Sequence, residues 1–135
     1  MIERLAIATC IAIVLGLTRF AFGAYAGFRL RDVANALDAG LLAELGINGQ
    51  PAVVYFWTDT CGQCKTMQSP ALGRLAGMTP AVQVVSINAL QQPAIADQFG
   101  VMTVPTTAVI DRAGHLRAVN HGYAGARTLQ EQLAA

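Results

Sequence analysis

The chain is short of charge. Only 13% of its 135 residues are Asp, Glu, Lys or Arg, and Lys65 is the only lysine. The formal net charge is +1, and no block of basic residues is present to neutralise phosphates. Nucleic-acid binding therefore has no electrostatic support. Cysteine is scarce as well: three residues, too few for a disulfide-dense secreted scaffold. The only imidazoles are His115 and His121, so a metal site built on histidine would have little to draw on. No internal repeat or low-complexity tract interrupts the chain, and its length suits one domain plus an N-terminal segment.

Hydrophobic residues, by contrast, reach 54%, and the excess lies at the N-terminus. The run LAIATCIAIVLGL (5–17) carries no charge; Arg19 interrupts it and FAFGAYAGF (20–28) resumes. One helix over 5–28 would be long enough for a bilayer, which needs ~20 apolar residues. Arg19 opposes that reading, since a charge near the membrane centre costs about 3 kcal/mol on insertion scales. A cleaved signal peptide is the alternative, with Arg4 before the apolar core and AYA (24–26) as a cleavage site. The expectation adopted is an uncleaved single-pass anchor. The flanking charges Arg4, Arg29 and Arg31, offset by Glu3 and Asp32, nearly balance. Arg19 favours a cytoplasmic C-terminal domain and the signal-like start an extracytoplasmic one; the second is carried forward. Cys10 reads as a small buried apolar residue of this segment.

The remaining residues alternate in period. RDVANALDAGLLAELG (31–46) sets Val33, Leu37, Leu41 and Leu45 on one stripe, an amphipathic helix ended by Gly46. AVVYFW (52–57) is continuously apolar and β-rich, as a strand covered on both faces should be. A helix is predicted from about Cys61 to Gly77 with Pro70 inside it, then a strand over 82–88. Strand, helix, strand makes a βαβ unit with parallel strands and a right-handed crossover. A short helix over 92–100 opens at Pro93. Strands over 106–111 and 116–121 flank a turn at Gly114, and a helix closes the chain. The predicted class is α/β: a mixed central sheet flanked by helices, preceded by a transmembrane helix. The domain boundaries are 1–28 for the anchor or signal segment and 29–135 for the folded domain.

Cys61 and Cys64 form a CxxC, which on its own allows a metal site, a structural disulfide or disulfide exchange. Position narrows the choice. Cys61 stands where an apolar strand gives way to a helix, facing unpaired N–H groups and the positive end of the helix dipole. Both stabilise a thiolate and lower a thiol's pKa. Cys64 follows one turn later on the same side. Such a pair suits a nucleophile with a resolving partner: Cys61 attacks a disulfide and Cys64 displaces the mixed disulfide. Gly62 leaves room for a bulky substrate.

With those residues in view, the chain from about residue 31 onward resembles the thioredoxin family. FWTDTCGQCK is similar to the family's Phe-Trp-Ala-x-Trp-Cys-Gly-Pro-Cys-Lys. INALQQPAIADQFGVMTVPT tracks the family's stretch from the third strand to the cis-proline loop without a gap, and NHGYAG with the terminal helix matches its end. The resemblance implies a thioredoxin-like fold and protein-disulfide oxidoreductase activity, with Cys61 and Cys64 as the redox-active pair. It implies that Pro105 is a cis proline against the dithiol and that Thr103, Val104 and Gly122 line the substrate groove. Trp57 would pack under the active-site turn. The departures fall on tuning positions: Thr60 replaces a tryptophan and Gln63 a proline. The family's buried aspartate, proton acceptor for the second cysteine, falls on Tyr55, and its lysine partner on Ser86. The family's helix proline falls on Ser69, one residue before Pro70, a shift of roughly 100° around the helix. Gln63 frees an amide that proline lacks, so a less reducing couple than thioredoxin's is expected.

The function expected is thus thiol–disulfide oxidoreduction on protein substrates through CGQC, without cofactor or metal, in a monomer held to the membrane by its N-terminal helix. Its partners would be a protein thiol or disulfide and a redox donor or acceptor. The competing reading is a membrane-tethered carrier of copper or zinc that uses the same cysteines, with His121 as the only plausible third ligand.

Overall fold

A computed structural model of the chain describes the backbone of residues 1–134 and the side chains of 1–25 and 37–134. The chain divides into two units, Met1–Asp32 and Val33–Ala135. The first is carried by helix α1 (Ile2–Ala36), which continues past the predicted end at residue 28. Its stretch Ile2–Tyr25 has mean hydropathy 2.1 and is unburied. At ~1.5 Å per residue it extends about 36 Å, more than the ~30 Å of a bilayer core. Large apolar side chains such as Ile7, Ile13, Leu17 and Phe20 are all exposed. Its length and composition fit a membrane span and a signal sequence alike. Cys10 is a free, exposed thiol on this helix, not a buried one. Ala26, Arg29, Arg31, Asp32 and Val33 lie outside the described side chains, so the proposed cleavage site, flanking charges and first residue of the amphipathic stripe are not addressed by it.

The amphipathic helix predicted over 31–46 is instead broken. Helix α2 (Ala39–Glu44) starts afresh, with Asp38 as its N-cap; the Asp38 carboxylate accepts from the Leu41 N–H at 2.7 Å. Aspartate competes poorly inside a helix and well at its start, so the stripe splits there. Leu41 and Leu45 still reach the core.

Four strands follow: β1 (Ala52–Trp57), β2 (Gln83–Asn88), β3 (Thr106–Ile110) and β4 (Leu116–His121). They form one sheet in the order β2-β1-β3-β4. β1 pairs parallel with β2 and antiparallel with β3, and β3 pairs antiparallel with β4. Two core layers explain why β1 is apolar at every position. Val54 and Phe56 pack on one face with Leu41, Ile95 and Phe99, from α2 and around α4 (Pro93–Gln98). Val53 and Tyr55 pack on the other with Leu72, Leu75 and Leu129, from α3 (Ser69–Met78) and α5 (Ala126–Ala134). The Phe56 and Phe99 rings meet with centroids 5.3 Å apart.

The β3–β4 turn is built on Asp111, whose carboxylate accepts from the N–H groups of Ala113 and His115, both at 2.9 Å. Gly114 completes it at φ +82°, a conformation L side chains rarely adopt, and a Cβ there would also meet Leu42 Cδ1 at 2.7 Å. The side-chain end of Leu42 can shift, so the backbone carries most of the strain. Gly114→Ala is expected to lower stability by about 1–2 kcal/mol. Chemical denaturation checks this, and a loss below about 0.5 kcal/mol would contradict it.

Candidate active site

β1 aims the dithiol. Its last carbonyl, Trp57 O, accepts from Ala89 N–H at 2.9 Å, and the turn after it closes with Cys61 N–H on Thr58 O at 3.2 Å. Asp59 holds that turn twice. Its carbonyl accepts from Lys65 Nζ at 2.6 Å, and its carboxylate from Asn88 Nδ2 at 3.3 Å. Asn88 Oδ1 in turn accepts from Leu90 N–H at 3.0 Å. Asp59 and Lys65 are both exposed, and both brace the loop. Asn88 escapes sequence reasoning because its role depends on β1 and β2 ending side by side.

Cys61 and Cys64 are joined in a disulfide. Cys61 is partly exposed and Cys64 is 1% exposed, so a large partner can reach only the first. The Cys64 N–H donates to Cys61 Sγ at 3.1 Å. An amide is therefore already aimed at the atom that would carry negative charge after reduction. Gly62, Thr60 and Gln63 are exposed around the pair.

The helix after Cys61 does not run as one plain α-helix. Residues Cys64–Gln68 form a π turn, in which the Ser69 N–H donates to Cys64 O, before α3 takes over. Pro70 accounts for it: a proline ring clashes with the carbonyl four residues back and offers no N–H. Widening the preceding turn relieves both conflicts. The one-residue shift of the proline is thus absorbed locally.

The π turn buries Gln68 completely. Its amide donates to Ala124 O at 3.0 Å and accepts from Ala124 N–H at 2.9 Å, across 56 residues. Gln68 is absent from the candidate residues read in the sequence. Its spacing from Leu72 and Leu75 places it on their apolar face, and a lone amide on such a face is the signal that could have found it. Tyr55 is also buried; its hydroxyl donates to Cys64 O at 3.1 Å and lies 3.4 Å from Ser69 Oγ.

The Val104–Pro105 peptide is cis. Pro105 is buried, Val104 half-buried and Thr103 exposed. Val104 packs on the same cluster as Trp57, Cys61 and Cys64. Gly122, at φ +100°, donates its N–H to Pro105 O at 2.8 Å. Beside Val104 and Thr103 lies an open cleft of ≈ 230 Å³, flanked by Leu90 and Met102, which are 73% and 88% exposed. Among the described residues no three His, Cys, Asp or Glu side chains are grouped to hold a metal ion. His121 is an exposed strand residue paired with Thr106, so a carrier would have to bind through the two cysteines without it.

The family model for thioredoxin matches residues 38–135. The chain is 33% identical over 79 residues to a thioredoxin of Pyropia yezoensis, covering 58% of this chain and 73% of that one. It is 32% identical over 82 residues to the soluble secreted antigen MPT53 of Mycobacterium tuberculosis, covering 61% of this chain and 47% of that protein. Among solved structures, the oxidised mitochondrial thioredoxin 3 of Saccharomyces cerevisiae superposes with a TM-score of 0.59 at 26% identity, over 70% of this chain and 86% of that one. A sheet that delivers a CxxC disulfide to a helix start, and a family match running from the α2 cap to the C-terminus, lead to one conclusion: the chain belongs to the thioredoxin family of disulfide oxidoreductases.

Proposed function

We propose that the chain is a membrane-tethered thiol–disulfide oxidoreductase acting on protein substrates through Cys61 and Cys64. The observation that carries this reading is the Cys64 amide placed 3.1 Å from Cys61 Sγ at the only partly exposed end of the disulfide. In the reducing direction the Cys61 thiolate attacks a substrate disulfide. The substrate's first sulfur leaves as a thiolate, and the second is held on Cys61. Cys64 then attacks Cys61 Sγ, restores the internal disulfide and frees the second substrate thiol. The oxidising direction is the reverse. Val104 and Pro105, with Thr103 and Gly122 beside them, present an extended substrate segment to the pair by backbone pairing. Trp57, Thr60, Gly62, Gln63 and Tyr55 shape or tune the site. The domain acts as a monomer and needs a redox donor or acceptor to recycle it. Incubating the reduced chain with a disulfide-bonded protein tests the reading: substrate thiols should appear as the Cys61–Cys64 disulfide forms.

Two predictions belong with this reading. Gln63 in place of proline makes the couple less reducing, so the measured potential should lie above thioredoxin's, about −270 mV. A value at or below that would refute it. The exposed apolar helix Ile2–Tyr25 anchors the domain, and its signal-like start, together with the similarity to a secreted protein, supports an extracytoplasmic site. A membrane-impermeant maleimide should then label reduced Cys61 in intact cells. Labelling only after lysis would place the domain on the cytoplasmic side.

A further inference from the structure

Behind the buried Cys64 lies an open cleft of ≈ 290 Å³, lined by Tyr55, Trp57, Cys64, Lys65, Ser69 and Ser86. The polar side-chain groups of these residues are three hydroxyls, one ammonium and the Trp57 indole N–H; no carboxylate or imidazole is among them. Tyr55 and Ser86 are register partners on β1 and β2, so their side chains leave the same face of the sheet. Ser69 and Ser86 are exposed, whereas Cys64 is 1% exposed. The cleft therefore runs from solvent inward to the resolving cysteine. Its volume far exceeds the ~10–15 Å³ needed for a water, and it offers the two to four polar partners that roughly fix one in place.

The chemistry of the second step makes this cleft matter. Cys64 must lose its proton before its sulfur can attack. Lys65 carries no acceptor and spends a donor on Asp59 O. Tyr55 spends its hydrogen on Cys64 O, which leaves its oxygen as an acceptor only. The Asp59 carboxylate is held on the Asn88 amide. Ala126 and Leu129 of α5, and Ala124 in the loop before it, share the core cluster of Cys64; none titrates. Among the described residues that line the cleft, none is a carboxylate or imidazole base for the thiol.

We propose that this hydroxyl-lined cleft is the proton exit of Cys64: water held by Ser86, Ser69 and Tyr55 accepts the Cys64 proton as its sulfur attacks the Cys61 mixed disulfide. The Cys64 S–H bond breaks and its proton passes through that water to solvent. The Cys64–Cys61 sulfur bond forms as the Cys61–substrate sulfur bond breaks. The cysteine pair is oxidised, and the substrate sulfur is reduced and leaves as a thiolate. Tyr55 and Ser86 are positioning residues for the water; they do not touch the substrate. The proposal rests on the oxidoreductase reading above.

The test follows the reduced full-length chain carrying Cys10→Ser, which removes the third, free thiol, with dithiobis(nitrobenzoate) in stopped flow. Attack by Cys61 releases one coloured thiolate, and resolution by Cys64 releases the second. Ser86→Ile places a strand-compatible apolar plug at the mouth of the cleft. It is expected to slow the second phase about tenfold near pH 7 and to leave the first unchanged. Raising the pH should restore the second phase, because a thiol that has already lost its proton needs no acceptor at the moment of attack. Ser86→Thr, which keeps a hydroxyl, should keep the wild-type second phase. Tyr55→Phe, which keeps the buried ring, should slow that phase about threefold. An unchanged second phase in Ser86→Ile, or equal slowing of both phases without recovery at high pH, overturns the proton route while the oxidoreductase reading stands. If the wild-type chain shows no first phase, both fall.

Discussion

Replacing Cys61 by serine is expected to abolish disulfide exchange, while replacing Cys64 by serine should leave a chain that attacks but cannot let go. The asymmetry comes from burial. Cys61 is partly exposed and its sulfur faces an amide, whereas Cys64 is 1% exposed. A serine hydroxyl is barely ionised at neutral pH and is not activated here by a neighbouring base, so Cys61→Ser should lose at least about 10³-fold in turnover. Cys64→Ser keeps the nucleophile and removes the displacement step. It should accumulate Cys61-linked mixed disulfides, visible on non-reducing gels and released by reductant. Turnover of Cys61→Ser within tenfold of wild type, or a Cys64→Ser chain that captures nothing, would refute the assigned roles. A metal carrier would not show this split, because losing either ligand should impair binding similarly.

The second large effect is on stability. Gln68 is fully buried, and both ends of its amide are used on Ala124, itself 5% exposed. Gln68→Leu keeps most of the volume and removes both bonds, leaving a buried N–H and a buried C=O unpaired. Each orphan costs about 1–3 kcal/mol, partly offset by the apolar side chain that replaces the amide, so a net loss of about 2–4 kcal/mol is expected. For a domain of this size that lowers Tm by about 10 °C or more. Gln68→Glu should fare no better, because a carboxylate cannot donate to Ala124 O and would be charged in the core. Thermal unfolding of the oxidised chain checks both. A Tm within about 2 °C of wild type for Gln68→Leu would show that Ala124 finds other partners. The bond also couples parts of the site. Ala124 lies two residues after Gly122, whose N–H holds Pro105 O, so Gln68 ties the helix of Cys64 to the loop of the cis peptide.

Much of this was readable in the chain because it is written locally. The unbroken apolar run of β1 signals a strand covered on both faces, and α3 with α5 and α2 with α4 do cover it. The predicted βαβ unit is the parallel β1–β2 pair. The two cysteines were legible for the same reason: their meaning comes from standing at a strand-to-helix junction, and that junction lies within eleven residues of sequence, 55–65. Other features misled. The stripe through Leu37, Leu41 and Leu45 suggested one helix over 31–46, but Asp38 caps a new one. Periodicity describes which face is apolar; it does not weigh a capping bond against a further turn of helix.

The sequence by itself therefore determined the order of elements, the fold class and the position of the reactive pair. Periodicity, capping and turn chemistry act between near neighbours, and those neighbours are in plain view. Tertiary structure alone decided what surrounds the pair. It turned Pro70 into a π turn, sent Gln68 to Ala124 across 56 residues, and set Tyr55 on the Cys64 carbonyl with Ser86 beside it. Those choices depend on which side chains meet when two layers close on one sheet. That is a property of packing in three dimensions, and no stretch of the chain carries it alone.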